Sequence, residues 1–302
     1  WGGAPPVDRF RPSPCEFYRW SAPPSRNPWG PDRYAGGSSV GSGVAVAVGS
    51  VPGALGTDTG GSVRNPAAVN GVVGLKPSIG VVSASGVLHV SHTMDHVGPI
   101  ARSVEDCALL LDGMVESQAV AALGGPVSAR IQDIPAETKL GIDRRMWSEW
   151  GVSRGVVAAV EDALSVLADL GIEIVELSLP ELDLSLHASV AISLSEAAQH
   201  HCQRLRGAAG QYLPGTRVMI ETGALVSKDD IRLAWQVRSH LRLLIPESMR
   251  RAGVDGLVSP TLPAIAPFAS SMSSELTGST GEDSLAAALR MRLRTRSIAS
   301  LP

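Results

Sequence analysis

The sequence contains few cysteines and almost no lysine. Its 302 residues include three cysteines, Cys15, Cys107 and Cys202, too few for a disulfide framework in a chain of this length. We therefore expect a reducing, cytoplasmic setting. Nearly all positive charge is carried by arginine, because lysine occurs at only three positions, Lys76, Lys139 and Lys228. A mechanism that needs a lysine base has three candidates in this chain.

The sequence also lacks a basic surplus and a long hydrophobic run. Lysine and arginine total 26 and aspartate and glutamate total 29, which gives a net charge of −3 and no electrostatic attraction to nucleic acid or to an anionic membrane. No stretch approaches the roughly 20 apolar residues of a membrane span, and the N-terminus has no signal-peptide-like apolar run. Apolar residues make up 44% of the chain, enough for a sizeable core. We expect a globular protein with neither a nucleic-acid nor a membrane partner.

Short apolar runs alternate with amphipathic segments after an irregular start at residues 1–35. The predicted elements are a helix or strand at 44–48, short strands at 54–55 and 72–75, a helix at 104–115 that starts at Ser103, a strand at 140–142, a helix between Ser153 and Gly171, a strand at 172–179, helices near 188–206 and 229–251, a strand at 254–258 and a helix at 283–296. Strands that alternate with helices predict an α/β fold with a partly parallel sheet.

Glycine and serine are concentrated in two segments, Gly36-Gly-Ser-Ser-Val-Gly-Ser42 and Gly56-Thr-Asp-Thr-Gly-Gly-Ser-Val-Arg64. Either segment alone is typical of a tight turn. A P-loop needs a lysine after its last glycine, and no lysine precedes Lys76; the dinucleotide-binding fingerprint is not matched either. Ser39 is central in a Gly-x-Ser-x-Gly pattern, but a nucleophile elbow follows a hydrophobic strand, and this segment does not. The remaining interpretation is that both segments build one site.

Three further motifs follow in order: Gly71-Val-Val-Gly-Leu-Lys-Pro77, Asp95-His-Val-Gly-Pro99 and Arg102-Ser-Val-Glu-Asp-Cys-Ala-Leu-Leu-Leu111. With the two glycine–serine segments they resemble the amidase signature family of serine hydrolases, which carries five such motifs in this order. Ser38 and Ser62 are 24 positions apart, the spacing of that family's two catalytic serines. The resemblance is dense over residues 27–114 and looser to about residue 267.

The resemblance implies a serine nucleophile that works without a histidine base. A serine hydroxyl is a weak nucleophile at neutral pH and needs a proton acceptor. Ser62 matches the family's nucleophile, and Ser38 matches the second serine, which follows a cis peptide bond and relays the proton to a lysine. The cis bond would join Gly37 to Ser38, a form that is rare outside proline. Ser39 matches a position that supports the site by hydrogen bonding.

The loop that precedes Ser62 matches the family's oxyanion hole. The implied donors are Thr59, Gly60 and Gly61, together with Ser62 itself. Backbone amides converge more easily at paired glycines because no Cβ stands in the way, and preorganised donors of this kind contribute ~3–4 kcal/mol each. Asp58 and Arg64 match polar positions that brace the loop.

Three departures from the family's pattern affect this interpretation. Val40 stands where the family usually has glycine, and residues 1–26 do not resemble what precedes the family's motifs. The family's catalytic lysine lies several tens of residues before Ser38, where this chain has none. Lys76 belongs to the Gly-Leu-Lys-Pro motif, which favours a structural role. The chain therefore resembles a protein cut at both ends, and we expect it to hydrolyse amides poorly as it stands.

Histidines form a second candidate site. Three of them lie close together beside Asp95: His89, His92 and His96. This spacing is typical of zinc ligands, but the resemblance places the segment beside a substrate pocket and implies no metal. We therefore predict no metal and no cofactor. The pair His200-His201 is expected on the surface of its helix, and Cys107 in the core.

The predicted fold is α/β, a single domain with a mixed twisted sheet flanked by helices over residues 27–302, after an irregular segment at 1–26. The resemblance implies an amidohydrolase that cleaves a small-molecule carboxylic amide through an acyl-enzyme on Ser62, and it leaves a homodimer open. One alternative is the glutaminase-type subunit of a tRNA amidotransferase. That subunit usually has glutamine where this chain has Asn65, and its segment at 88–94 differs. The other alternative is a non-catalytic, amidase-like protein without the lysine base.

Overall fold

The computed structural model describes residues 25–132 and 137–269. In chain order the first elements are α1 (Val40–Ala47), β1 (Gly53–Asp58), α2 (Arg64–Asn70), β2 (Val73–Gly74), β3 (His96–Ala101), α3 (Val104–Met114) and α4 (Ser117–Ala122). The later elements are β4 (Lys139–Ile142), α5 (Arg144–Glu149), α6 (Arg154–Asp169), β5 (Glu173–Glu176), α7 (Asp183–Ala208), α8 (Pro214–Gly223), α9 (Lys228–Ala252) and β6 (Gly256–Val258). The helix predicted at 283–296 lies outside the described residues.

The first three strands form an antiparallel sheet in the order β1–β3–β2. β1 pairs with β3 along its whole length, so that Asp58 lies opposite His96. Val46 of α1, Val63 and Ile100 of β3 are fully buried together at the centre of this half of the molecule. Complete burial of an aliphatic side chain of this size contributes about 1.5–3 kcal/mol. The core therefore fixes the end of β1, where the chain turns toward α2.

The last three strands form a parallel sheet in the order β5–β4–β6. The chain passes from β4 to β5 through α5 and α6, which is the predicted strand–helix–strand unit. The inner face of α6 places Leu164 in a core with Ile142 of β4, Trp147 of α5 and Leu241 of α9. Helix α9 is thereby anchored to the parallel sheet.

Helices α7, α8 and α9 pack together, with α7 against both of the others. The buried face of α7 consists largely of small side chains, among them Ser185, Ala188, Ser189, Ser193 and Ala197. Small side chains at a helix contact allow the axes to approach closely. The carboxylate of Glu196 is buried on the same helix, which is unusual for an acidic residue without a purpose in packing.

Helix ends follow the sequence signals with one exception. The hydroxyl groups of Ser103 and Ser227 each accept a hydrogen bond from the amide three residues later, at 3.0 and 3.1 Å, as N-cap residues do. Helix α6 ends before Gly171, whose φ of 89° is in the left-handed region. Ser153 precedes α6, but its side chain makes no capping hydrogen bond, so the prediction of a side-chain cap there was wrong.

The α/β class and the presence of both parallel and antiparallel pairing are confirmed, although the strands are divided between two three-stranded sheets. Residues 44–48, which the sequence left open between helix and strand, are mostly in α1. The strand predicted at 172–179 is shorter, because β5 pairs only with the four residues of β4. Among the residues described above, no helix combines the length and the apolar character needed to cross a membrane.

Candidate active site

The loop between β1 and α2 carries Ser62 and is organised around a buried carboxylate. Asp58 is fully buried and accepts hydrogen bonds from the amides of Gly61 at 2.7 Å and Val63 at 3.2 Å. The Arg64 guanidinium donates to both of its oxygens at 3.0 Å. Burial alone would raise the pKa of Asp58, but the hydrogen bonds and charge of Arg64, with the two amides, outweigh burial and hold this pKa below its ordinary value.

The second glycine–serine segment lies directly against this loop. The peptide bond between Gly37 and Ser38 is cis, where the resemblance implied it. The next amide, that of Ser39, donates to the carbonyl oxygen of Ser62 at 3.2 Å. The Ser39 hydroxyl also accepts from the amide of Thr57 at 3.1 Å and lies 3.3 Å from the carbonyl oxygen of the same residue. The structure therefore brings the segments of Ser38 and Ser62 together through backbone and side-chain contacts of Ser39.

Two glycines in these segments have conformations that other residues rarely adopt. Gly61 has a φ of 113° within the loop before Ser62, and the resulting turn points its amide at Asp58. Gly36 has a φ of 85°, and a Cβ on it would lie 2.3 Å from the Cα of Pro66 in α2. The close approach of the two segments thus requires glycine at these positions.

Asp95 connects the loop of Ser62 to the segment before β3. Thr59 donates its hydroxyl to one Asp95 oxygen at 2.5 Å. The other oxygen accepts from the amides of Val90 at 2.9 Å and Ser91 at 3.2 Å and lies 3.1 Å from Nδ1 of His89. Asp95 was noted in the sequence as part of a motif and as a neighbour of histidines. Its contact with the implied oxyanion segment was missed, because sequence spacing does not show that residues 59 and 95 meet.

Glu196 holds the same segment from the side of the helices. Its buried carboxylate accepts hydrogen bonds from the Ser91 hydroxyl, from the Thr93 amide at 3.2 Å and from the Thr93 hydroxyl at 2.8 Å. Arg238 of α9 donates to the Thr93 carbonyl oxygen at 2.8 Å and to its hydroxyl at 3.2 Å. The segment 89–95 is therefore fixed between α7 and α9 on one side and the loop of Ser62 on the other.

The three histidines of the predicted second site have separate partners. His89 pairs with Asp95, His92 lies 3.5 Å from Glu196, and Nδ1 of His96 contacts the carbonyl oxygen of Met94 at 2.7 Å. In the part of the chain that the structure describes, no group of three or more histidine, cysteine, aspartate or glutamate side chains is arranged to hold a metal ion.

The surface placement predicted for His200 and His201 was wrong for one of the two. His201 is buried, with 1% of its surface exposed, and its ring nitrogens lie 3.0 Å from the Tyr212 hydroxyl and 3.0 Å from the carbonyl oxygen of His89. These two partners satisfy the imidazole away from water. His200 is exposed, and Cys107 is buried as predicted.

A cavity of about 420 Å³ opens beside the loop, between it and the helices. Its lining residues are Thr59, Arg64, Lys76, Pro77, Ser78, Ile79, Met94, His96, Ser185, Ala188, Ser189, Ile192, Arg238, Leu241, Arg242, Ile245 and Pro246. Burial, followed by the charge of Arg64, lowers the pKa of Lys76. Burial also lowers the pKa of His96, with a contribution from the charge of Lys76. The volume is in the range of small-molecule sites.

Comparison with known proteins identifies the family. The family model described as Amidase matches residues 17–291. This chain belongs to the amidase signature family. The identification made from five ordered motifs is thereby confirmed.

Curated relatives of this amidase include a glutamyl-tRNA(Gln) amidotransferase subunit from Roseiflexus castenholzii, which is 34% identical over 277 residues, or 80% of this chain and 54% of the relative. The corresponding amidotransferase subunit from Thermus thermophilus is 42% identical over 182 residues, or 59% of this chain and 38% of the relative. The chain spans about half the length, or less, of these relatives.

Solved structures agree with this assignment. A crystal structure of an amidase superposes with a TM-score of 0.71 at 33% identity, covering 91% of this chain and 60% of that one. A 6-aminohexanoate cyclic dimer hydrolase complexed with substrate gives a TM-score of 0.72 at 26% identity, with coverage of 91% and 62%. The arrangement of the two sheets and the helices described above is therefore that of amidase signature enzymes.

Proposed function

We propose that this amidase hydrolyses a small-molecule carboxylic amide through an acyl-enzyme on Ser62, with Ser38 as the proton relay and no cofactor. One observation carries the proposal. The peptide bond before Ser38 is cis, and the adjoining Ser39 amide is bonded to the Ser62 carbonyl oxygen at 3.2 Å. The family resemblance assigns a cis-bonded serine in this position to the relay. The proposal includes oxyanion donors at Thr59, Gly60 and Gly61.

In the proposed reaction the Ser62 hydroxyl oxygen bonds to the amide carbonyl carbon. Its proton passes to the Ser38 hydroxyl, whose own proton goes to the acceptor, a lysine in the family. The carbon–nitrogen bond then breaks, and the nitrogen leaves with a proton as ammonia or an amine. Water attacks the acyl ester, which releases the carboxylic acid and restores the Ser62 hydroxyl. The backbone donors of the loop stabilise the oxyanion in both halves of the reaction.

The electrostatic setting of the loop supports this assignment. The Asp58 carboxylate is occupied by Arg64 and by the amides of Gly61 and Val63, so it braces the turn rather than taking a proton from Ser62. A preorganised loop keeps its remaining amides in place before the charge develops, which is the condition for oxyanion stabilisation.

Covalent labelling tests the nucleophile without depending on turnover. An alkyl fluorophosphonate is expected to add one phosphonate group to the peptide that contains Ser62, as read by mass spectrometry. Ser62→Ala should abolish the adduct, and Ser38→Ala should slow its formation strongly. Ser50→Ala, at an exposed serine just after α1, is the matched control and should label normally. A chain that folds but shows no adduct at Ser62 would favour the non-catalytic alternative.

Turnover tests the relay. Ammonia release from simple aliphatic and aromatic amides should fall almost completely in both Ser62→Ala and Ser38→Ala. The double variant should be little worse than Ser62→Ala alone, because residues that act as a unit are strongly non-additive. Ser39→Ala should cost less. If Ser38→Ala kept more than about a tenth of kcat, a loss below ~1.4 kcal/mol, the relay assignment would be wrong.

The curated relatives favour a second candidate, a protein that hydrolyses glutamine within an amidotransferase. Both relatives reported above are named as amidotransferase subunits, at 34% and 42% identity. In this chain Asn65 occupies the position where the glutaminase-type subunit usually has glutamine, and its side chain is buried at the start of α2. Glutamine hydrolysis that exceeds hydrolysis of simple amides, together with copurification of a second protein, would favour this candidate over the first.

A further inference from the structure

Four cationic side chains follow one another along the cavity beside the loop of Ser62. Arg64, Lys76, Arg238 and Arg242 all line it, and within the described part of the chain no aspartate or glutamate does. The charges are close enough to affect each other. Arg64 and Arg238 both lower the pKa of Lys76, after the larger effect of burial. The cavity is therefore electropositive.

Two of these cations are already occupied. Arg64 is bound to Asp58, and Arg238 donates to Thr93. Lys76 and Arg242 have no hydrogen bond or ion pair with any residue that the structure describes. Lys76 is partly buried, and an ammonium group that loses water without gaining a partner is energetically unfavourable. An anion bound in the cavity would supply the missing partner.

The rest of the lining limits the kind of anion. Apolar side chains contribute much of the wall: Ile79, Met94, Ile192, Leu241 and Ile245. Thr59, from the loop that carries Ser62, lines the same space. A volume of about 420 Å³ accommodates a small organic molecule rather than an inorganic ion alone. The lining thus fits a molecule with an apolar chain and an anionic group, placed against the proposed nucleophile loop.

We propose that this cavity recognises the substrate through a carboxylate, so that the substrate class is an amide whose own carbon chain also carries a free carboxylate. Lys76 and Arg242 hold the carboxylate, Lys76 as a point charge and Arg242 through its planar guanidinium. The apolar wall contacts the chain between the carboxylate and the amide. The inference rests on the proposed function, because the amide is placed at Ser62.

Binding to the Ser62→Ala variant of the 302-residue chain tests this inference without any turnover. The ligands are ω-carboxyalkanamides with two to five methylene groups, each paired with the alkanamide of equal length that ends in a methyl group. Calorimetric titration should show that the best carboxylated amide binds at least about tenfold more tightly than its methyl partner, as expected for one charge-assisted hydrogen bond. Lys76→Gln should remove this preference and leave binding of the methyl partner unchanged. Lys76→Arg should retain most of it.

Lys228→Gln is the matched control, since Lys228 is exposed at the start of α9 and does not line the cavity; it should keep the full preference. Arg242→Gln should weaken the carboxylated amide less than Lys76→Gln, because Arg242 is exposed. Equal binding of the paired amides, absence of binding by both, or an equal loss for both in Lys76→Gln would overturn the inference. Inorganic phosphate that competes as well as the carboxylated amide would also overturn it, in favour of a plain anion site. Failure of Ser62 labelling would instead contradict the proposed function and leave this binding result readable.

Discussion

Replacing Asp58 by asparagine probes the electrostatic design of the loop that carries Ser62. The Asp58 carboxylate is fully buried and accepts two hydrogen bonds from Arg64 and one each from the amides of Gly61 and Val63. Asparagine has the same size, but it removes the charge and turns one accepting oxygen into an NH₂ group that faces other donors. Removal of one member of a buried ion pair costs about 3–5 kcal/mol. Asp58→Asn is therefore expected to lower the free energy of unfolding by about that amount.

Urea denaturation followed by circular dichroism measures this loss. The matched control is Asp229→Asn, because Asp229 forms an ion pair with Arg232 at 3.2 Å while its side chain is 88% exposed. Exposed pairs contribute little, so the control should unfold at the wild-type urea concentration. If Asp58→Asn shifted the midpoint no more than Asp229→Asn, the assignment of a structural ion pair beneath the loop would be refuted.

The same comparison has a defined pH dependence. The pKa of Asp58 in the folded protein lies below its ordinary value, whereas in the unfolded chain it is about 3.9. The ionised form therefore stabilises the fold fully above the unfolded pKa, and this contribution is lost as the pH falls through the folded pKa. The difference in stability between wild type and Asp58→Asn should be constant near neutral pH and should shrink below about pH 4. A difference that grew on acidification would contradict this sign.

Two further predictions concern hydroxyl groups. Thr59→Val removes the hydroxyl that donates to Asp95 at 2.5 Å; it should lower the free energy of unfolding by about 1.5–3 kcal/mol and slow fluorophosphonate labelling of Ser62, whereas Thr59→Ser should retain both properties. Ser227→Ala should destabilise the protein by about 1 kcal/mol because its hydroxyl caps α9, whereas Ser153→Ala should stay within about 0.5 kcal/mol because its hydroxyl makes no capping bond.

Each of these pairs contains its own control. Equal labelling rates in Thr59→Val and Thr59→Ser would show that the contact with Asp95 does not position the loop. Equal stabilities of Ser227→Ala and Ser153→Ala in urea would show that the capping geometry at α9 contributes nothing measurable. Both outcomes can be read without an assay for the reaction.

Local patterns in the sequence were sufficient for much of the fold. Hydrophobic periodicity and the caps at Ser103 and Ser227 located α3 and α9 to within two residues. β3 was not predicted, because Gly98 and Pro99 stand in the middle of it and both are disfavoured in strands. β3 forms nevertheless, since it pairs with β1 along its whole length, and that tertiary pairing outweighs local propensity.

The candidate site divides in the same way. The two glycine–serine segments were recognised because their motifs are contiguous in sequence. The contacts of Asp95 with Thr59 and of Glu196 with Thr93 join residues 36 and 103 positions apart, and no local spacing encodes such a pair. The burial of His201 has the same origin, because one of its partners is the carbonyl oxygen of His89, 112 positions away.

The segment 89–95 touches the loop of Ser62 through Asp95 and the helices through Glu196 and Arg238. A designer who wishes to change which molecules this amidase accepts would naturally begin with α7 and α9, which form the far wall of the cavity. Any exchange of those helices also removes the support under Thr93, and with it the foundation of the nucleophile loop. Selectivity and reactivity cannot be tuned separately here, so a successful graft has to carry residues 89–95 together with the matching faces of both helices.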